Sequence, residues 1–419
     1  MSTLNIKMKS STHLPQWSEI PVPVEVLDTD LQIVHREVIR GQESVNVEPG
    51  SYLVRARLPS GETVSGRASL EEPAAAKEVL LSPRESPHEW LGWQQVLGNI
   101  PARKAEKGLS RFPSTWLRLW VFDQGEWTTV DTQEWHRWAR REEDLAVIGI
   151  DVSEHPLRLR MIQVGGEAVP WRLISFPPTP KEVQILLRPT RTPTSLDGGL
   201  AAKVVSTDMQ TESLSYYLRS GALESASAVS RVVMEEAEEL EFLGTGAPPE
   251  AKEAEELLRG KLRNPFGAAV GGYYLLQIRD FERMHNWPNN FANWLPWLPD
   301  GAVIHAWQLL LTAGIEYRSN ARERLLQAWS RGLPVYSQGL RLLIDGLELF
   351  ENSRRRENVD DKAVENALEE IRVYAEAVDW NQRLTTFYGP DPKSPSLTSI
   401  MGTPQGEAPG HFQFVTNMD

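Results

Sequence analysis

Apolar and polar residues alternate in six short runs between residues 20 and 81. The runs are rich in valine, and turn residues such as Pro49-Gly50 and Gly61 lie between some of them. A period of two residues is the pattern of a strand with one buried face. The predicted strands are VPVEVLD, IVHREVI, ESVNVEP, SYLVRARL, TVSGRASL and KEVLL. They indicate a small antiparallel β-sandwich over residues 17–83, preceded by a flexible N-terminus at residues 1–16.

Residues 84–190 combine strand and helix patterns. Large apolar residues alternate around Gly125 in WLRLWVFDQGEWTTV, which predicts a β-hairpin. Further strands are predicted at LAVIGIDV, LRLRMIQV, WRLISF and EVQILLR, and helices at residues 87–98 and 132–141. In the second helix Trp135 and Trp138 would share one side. This segment is predicted to be a β-rich α+β module.

After residue 206 the apolar period lengthens to that of a helix. Pro265 would lie in the first turn of one helix, where a missing N–H costs little, and small residues such as Gly271 and Gly272 permit close packing. The predicted helices are residues 213–219, 222–242, 250–263, 265–284, 303–316, 321–329, 337–350 and 360–378. Residues 206–380 are therefore predicted to form an all-α domain.

Within this domain four tryptophans follow one another among prolines. Large aromatic side chains contribute strongly to packing when they are buried. We expect these four residues to belong to the structural core: Trp287, Trp294, Trp297 and Trp307.

Two segments have the composition of connections. Residues 191–205 combine proline, threonine and a Gly-Gly pair and are predicted to be an exposed linker. Residues 381–419 form a Pro/Gly-rich tail, either disordered or laid over the surface. The predicted fold is thus multidomain, with a β-sandwich, a β-rich α+β module and an all-α domain in chain order.

Charge and composition argue against several classes of function and location. A net charge of −13 disfavours binding to nucleic acid or to an anionic membrane, because both need a basic face. The absence of cysteine excludes disulfides, thiol nucleophiles and cysteine-bound zinc. The N-terminus lacks the apolar centre of a secretory signal, and no apolar stretch is long enough to span a bilayer. We therefore expect a cytoplasmic protein.

One cluster invites a catalytic or metal-binding interpretation. His285, Asp300 and His305 lie close in sequence, yet they form neither HExxH nor an i, i+4 histidine pair. The alternative is a structural role for the histidines among the tryptophans, with Asp300 near a helix N-terminus. No catalytic, metal or cofactor-binding residue is assigned.

Other motifs also have two interpretations. The acidic runs MEEAEELEF and PPEAKEAEELL lack the pattern of a calcium loop and are typical of a solvated helix face. The arginines of residues 353–356 either complement a helix C-terminus or meet a phosphate or acidic partner. The tryptophans of the β half either fill cores or form a sugar-binding or peptide-binding surface: Trp17, Trp90, Trp93, Trp116, Trp120, Trp127, Trp135 and Trp138.

Two segments resemble known families. The run VEPGSYLVRARLPSGE, within residues 45–62, resembles a hairpin of PEGA and carboxypeptidase-regulatory-like domains. Those domains serve as structural or binding modules. Residues 263–307, with NPFGAAVGGYYLLQI and RMHNWPNNFANWLPWLPDGAVIHAW, resemble a helical segment of bacterial proteins encoded near caspase-like or CHAT peptidases in conflict and CRISPR-associated systems. This second resemblance implies a regulator, adaptor, inhibitor or substrate of such a peptidase.

Two classes of function follow. The first is a non-enzymatic interaction or regulatory protein with a protein partner, a peptidase in a bacterial defence system according to the resemblance. The alternative is a hydrolase that uses carboxylates and histidine in an interdomain cleft. If a caspase-like peptidase cleaves the chain, we expect the cut after Arg191 or Lys203 in the predicted linker.

Overall fold

The structure is a computed structural model that describes residues 2–9, 21–58, 63–73, 75–82, 112–123, 125–131, 136–142, 145–150, 158–179, 182–189, 198–219, 264–312, 318–357, 361–402 and 411–414. The predicted helices at residues 87–98, 222–242 and 250–263 lie outside these ranges, as do Trp17, Trp90, Trp93, Trp135 and Arg191. The chain divides into two compact units. One contains Met1–Lys107 and Asp208–Glu250, and the other contains Gly108–Thr207 and Ala251–Asp419.

The first unit contains two β-sheets and helix α1 (Met209–Arg219). Its strands are β1 (Ser2–Met8), β2 (Pro21–Leu27), β3 (Ile33–Arg40), β4 (Gln42–Val47), β5 (Gly50–Arg57), β6 (Thr63–Leu70) and β7 (Ala76–Leu81). The strand orders are β4-β1-β7 and β3-β2-β5-β6. All six strands predicted from the alternating pattern are confirmed.

Strand β1 corrects the expectation of a flexible N-terminus at residues 1–16. It is the central strand of its sheet, antiparallel to β4 and parallel to β7. Leu4, Ile6 and Met8 alternate with polar residues, and all three are buried. The period of two was therefore present in STLNIKM, and burial of its apolar side stabilises the strand.

The second unit contains two further sheets. Their strands are β8 (Thr115–Asp123), β9 (Glu126–Thr129), β10 (His136–Glu142), β11 (Leu145–Ile150), β12 (Arg160–Gly166), β13 (Arg172–Ser175), β14 (Val183–Pro189), β15 (Leu200–Ser206), β16 (Thr386–Tyr388) and β17 (His411–Phe414). One sheet has the order β10-β11-β14-β15. The six-stranded sheet has the order β16-β13-β12-β8-β17, with β9 also paired to β8 as the predicted hairpin.

The helix predicted at residues 132–141 is wrong over the part that the structure describes. Residues His136–Glu142 form β10 and pair with β11. Trp138 lies opposite Gly149, where an added Cβ would come within 2.3 Å of the indole ring. Cross-strand packing of this ring on a glycine therefore outweighs the helical spacing of the two tryptophans.

The helical pattern after residue 264 is confirmed. The helices are α2 (Pro265–Ile278), α3 (Phe281–Met284), α4 (Trp287–Trp294), α5 (Pro299–Thr312), α6 (Arg318–Arg331), α7 (Ser337–Glu357) and α8 (Lys362–Ala377). Asn264 caps α2 by accepting from the Gly267 N–H at 3.0 Å. The helix predicted at residues 265–284 is split because Arg279 adopts φ 58°, a left-handed conformation that ends α2. None of the described helices is long and apolar enough to cross a membrane.

The predicted linker and tail both contribute strands. Leu200–Ser206 form β15 beside β14, so residues 200–205 are not an exposed connection. Thr386–Tyr388 form β16 at one edge of the six-stranded sheet. The second unit therefore includes the sheets of residues 108–207 together with the helices that follow, instead of separating them at residues 191–205.

Candidate functional site

One face of the six-stranded sheet carries three tryptophans and a glutamine. Trp116 and Trp120 lie four residues apart on β8, and side chains at that spacing lie on the same side of a strand. Gln163 on β12 pairs with Arg118, which lies between them in β8. Trp171 directly precedes β13. We call Trp116, Trp120, Gln163 and Trp171 the tryptophan face.

Gln163 is the fully buried centre of this face. Its Oε1 accepts a hydrogen bond from Trp120 Nε1 at 3.0 Å, so its amide nitrogen points away from Trp120. That nitrogen donates to the carbonyl oxygens of Gly389 at 3.1 Å and Pro390 at 2.9 Å. Both N–H bonds of a buried amide are thus used to hold main-chain carbonyls.

Trp116 and Trp171 bind a second position in the chain segment that begins with Gly389 and Pro390. Each indole N–H donates to the carbonyl oxygen of Gly402, at 2.9 Å in both cases. Their rings meet edge to face with centroids 5.1 Å apart. Gly165 is required beneath them, since an added Cβ would lie 2.3 Å from the Trp116 ring.

Residues 389–402, here called the strap, cross this face of the sheet. Gly389 N–H donates to Trp171 O, Trp171 N–H donates to Ile400 O, and Gly402 N–H donates to Gly166 O, at 3.3, 2.8 and 2.8 Å. The strap connects β16, at one edge, toward β17, which pairs with β8 at the other. Of the two alternatives for the tail, residues 389–402 are therefore laid over the surface, and residues 386–388 belong to the sheet itself.

Helix α8 also attaches to the strap. The hydroxyl of Tyr374 donates to Pro392 O at 3.1 Å. Its ring packs edge to face on Trp329 and Phe387. Burial raises the pKa of Tyr374 to about 12, and the Asp391 charge adds to this. The hydroxyl therefore remains a donor over the whole neutral range.

These contacts hold the main chain of a proline-containing segment that bends and turns between Gly389 and Gly402. Three side chains donate to three backbone carbonyls, whereas strap side chains such as Leu397 and Met401 are 71% and 47% exposed. Contacts to carbonyls do not depend on side-chain identity, so the face discriminates by backbone path.

A buried cation lies within the face. Arg118 is only 7% exposed, and its guanidinium carbon lies 5.6 Å from the Trp116 ring and 5.7 Å from the Trp120 ring. Burial lowers the pKa of Arg118. The two ring faces stabilise the charge in place of a carboxylate.

The predicted cluster of His285, Asp300 and His305 is not assembled into one site. Asp300 is fully buried and accepts from Tyr273 Oη and from Val335 N, both at 2.8 Å, so it joins α5 to α2 and to the chain before α7. His305 instead lies near Arg324, and His285 is exposed. Among the described residues, no group of three or more potential ligand side chains could hold a metal ion.

None of the four tryptophans predicted to belong to the core is fully buried. Trp294 is 53% exposed, which corrects the expectation for this residue, while Trp287, Trp297 and Trp307 are half-buried. Trp307 Nε1 donates to Leu342 O at 2.8 Å. Helix α4 is only two turns long, and the side that it buries is not the side that carries Trp294. The fully buried aromatic residues of this region are instead Phe266 and Phe291.

The structure tests only one of the two predicted cleavage sites. Lys203 lies in the middle of β15, and its Nζ hydrogen-bonds Gln382 Oε1. Cleavage after Lys203 would require the strand to leave its sheet, which corrects the expectation of an exposed site. Arg191 lies outside the described residues, so cleavage there stays a prediction.

Sequence reasoning missed Gln163 and Trp171. Neither lies in a motif, and a glutamine inside a strand gives no signal of its own. The signal that could have been used is the glycine pair at Gly165-Gly166, which marks close approach of other groups to a strand.

The comparisons concern the C-terminal half. Residues 213–409 match the family model described as the Y4kD C-terminal domain. The match covers less than half of the chain, includes α2 to α8 and ends beyond the strap. It supports a C-terminal helical segment shared with other bacterial proteins. No curated protein and no solved structure matches the chain.

Proposed function

We propose that this is a non-enzymatic interaction or regulatory protein that binds a protein partner. The observation that carries the proposal is the tryptophan face, whose N–H donors hold the backbone of the strap. A surface that binds main-chain carbonyls suits a protein ligand, because any chain following the same path offers the same carbonyls.

The strap itself supports a regulatory role. It occupies the face intramolecularly, so a partner segment must displace it before it can bind. Because the strap is tethered, its effective concentration at the face is high. A partner must therefore bind the face tightly enough to compete with the strap, and a weak or poorly shaped ligand does not. The partner is therefore expected to present a segment that is rich in proline and glycine and follows the backbone path of the strap.

The resemblance of residues 263–307 supports a caspase-like or CHAT peptidase of a bacterial defence system as the partner. In that setting the chain would act as an adaptor, inhibitor or substrate. Cleavage after Arg191 would separate the strands before it from β15 and the helices after it. The two sheets of the first unit, with apolar faces containing Leu4 and Val24, would form the binding or structural sandwich implied by the PEGA-like hairpin.

Co-purification of the chain with a caspase-like peptidase from its own genomic neighbourhood tests the proposal. The double variant Gln163→Leu, Trp171→Phe removes three of the donors, and Trp127→Phe is the matched control on β9. The three chains compared end at residue 388, since the strap of the full chain loses the same hydrogen bonds as a partner does. In this form we expect the unsubstituted chain and the control to form a stable complex and the double variant to bind at least tenfold more weakly, because each lost hydrogen bond contributes about 1 kcal/mol.

Two outcomes would contradict the proposal. Equal binding of the double variant would exclude the tryptophan face as the contact. Hydrolysis of ester or peptide substrates by the purified chain alone, abolished by His305→Ala, would favour the hydrolase alternative.

A further inference from the structure

A second polar cluster lies among the helices, away from the tryptophan face. Arg324 on α6 donates from Nη1 to Gln327 Oε1 at 2.7 Å and from Nη2 to Asn289 Oδ1 at 2.9 Å. Arg331, two turns further along α6, donates from Nη1 to Leu298 O at 3.3 Å. The cluster thus joins α6 to α4 and to the chain entering α5.

No carboxylate among the described residues pairs with Arg324 or Arg331, although ion pairs form elsewhere on the same helix, as between Arg322 and Asp361. Burial, together with the charge of Arg324, lowers the pKa of Arg331 to about 10. The same two causes lower the pKa of His305 to about 4. Two cations held near each other without a counter-charge leave a local excess of positive charge.

The neutral groups of the cluster present further donors. Since a guanidinium can only donate, the amide oxygens of Asn289 and Gln327 face Arg324, and their NH2 groups remain directed elsewhere. Trp297, next to Leu298, has a buried indole N–H without an acceptor, and His305 has a buried Nδ1 without a partner. Buried polar groups of native proteins are normally satisfied, so the Trp297 N–H indicates a missing acceptor, and His305 offers a second donor in the tautomer that carries its proton on Nδ1.

We propose that Asn289, Trp297, His305, Arg324, Gln327 and Arg331 bind a phosphate group. A carboxylate offers its lone pairs in one plane, whereas these donors come from α4, α5, α6 and the chain between α4 and α5, and suit the several oxygens of a tetrahedral dianion. Arginine is the residue that most often recognises phosphate through paired N–H donors. The inference is independent of the proposed protein interaction, since it uses different residues.

Titration calorimetry of the full chain with inorganic phosphate tests this site. Chloride at equal ionic strength serves as the blank, and acetate serves as the carboxylate comparison. We expect one saturable phosphate site per chain and binding at least tenfold weaker to acetate. Arg324→Gln should weaken phosphate binding at least tenfold, whereas Arg318→Gln, an exposed arginine on the same helix, should leave it unchanged.

A second measurement separates binding from folding. The imidazole ¹⁵N signals of His305 should shift on phosphate addition in wild type and in Arg318→Gln but not in Arg324→Gln, with all three chains folded. Glycerol phosphate then distinguishes a phosphate ester from the free ion as the preferred form. Absence of saturable binding to wild type, equal affinity in Arg324→Gln, or equal binding of acetate would overturn the proposal.

Discussion

Replacing Asp300 by asparagine should change how stability depends on pH. The carboxyl is fully buried, and burial raises its pKa from 3.8 to about 6, although the donors of Val335, Tyr273 and Tyr336 act in the opposite direction. The folded protein therefore holds this proton more tightly than the unfolded chain does. The resulting stabilisation is fully present below the unfolded pKa of 3.8 and is lost as the pH rises through 6.

The size of the effect follows from the shift. Each pKa unit corresponds to about 1.4 kcal/mol, so a shift of roughly two units removes about 3 kcal/mol from the free energy of unfolding at neutral pH. About 2.5 kcal/mol of this is lost between pH 4 and pH 7. Asparagine has nearly the same size and no proton to lose, so Asp300→Asn should not show this loss.

Urea unfolding followed by tryptophan fluorescence at several pH values measures the effect. The quantity compared is the difference in unfolding free energy between wild type and Asp300→Asn, in which the titration of other groups cancels. We expect wild type to lose about 2.5 kcal/mol relative to the variant from pH 4 to pH 7. Glu369→Gln, which removes an exposed carboxyl from α8, is the control and should give a flat difference. A flat difference for Asp300→Asn as well would refute the argument from burial.

Three further predictions concern packing, backbone and exposure. Trp307→Ala should cost about 3 kcal/mol in thermal or denaturant unfolding, because it removes a half-buried ring and its hydrogen bond, whereas Trp294→Ala should cost less than about 1 kcal/mol; equal losses would contradict the difference in exposure. Arg279→Gly should raise the unfolding free energy by up to about 1 kcal/mol, since glycine adopts a positive φ without strain, and a destabilised variant would show that the arginine side chain contributes more than its backbone strain costs. In limited trypsin digestion with mass mapping, Lys203 should be protected by its strand while Arg191 is cut early, and an early cut after Lys203 would show that β15 does not stay in its sheet.

The local sequence pattern was sufficient to predict those helices and strands that bury the side chains of one face. The six N-terminal strands and the β8–β9 hairpin follow from alternation, and α2, α3 and α5 to α8 follow largely from helical spacing, because these periods are properties of a single segment. The same rule accounts for β1, where Leu4, Ile6 and Met8 alternate but the surrounding polar residues favoured a flexible terminus. Short β16 could not be recognised, since three residues carry no period.

Tertiary structure decided which segments pair and what the side chains meet. The spacing of Trp135 and Trp138 suits a helix by itself, yet Trp138 lies in a strand because Gly149 on β11 leaves space for its ring. The candidate site depends on the same kind of long-range contact. Gln163 holds Gly389 and Pro390 more than two hundred residues away in sequence, so no local rule could connect them. Composition correctly marked the strap as lacking regular structure, but its place on the sheet is fixed by hydrogen bonds to side chains that only the folded chain brings together.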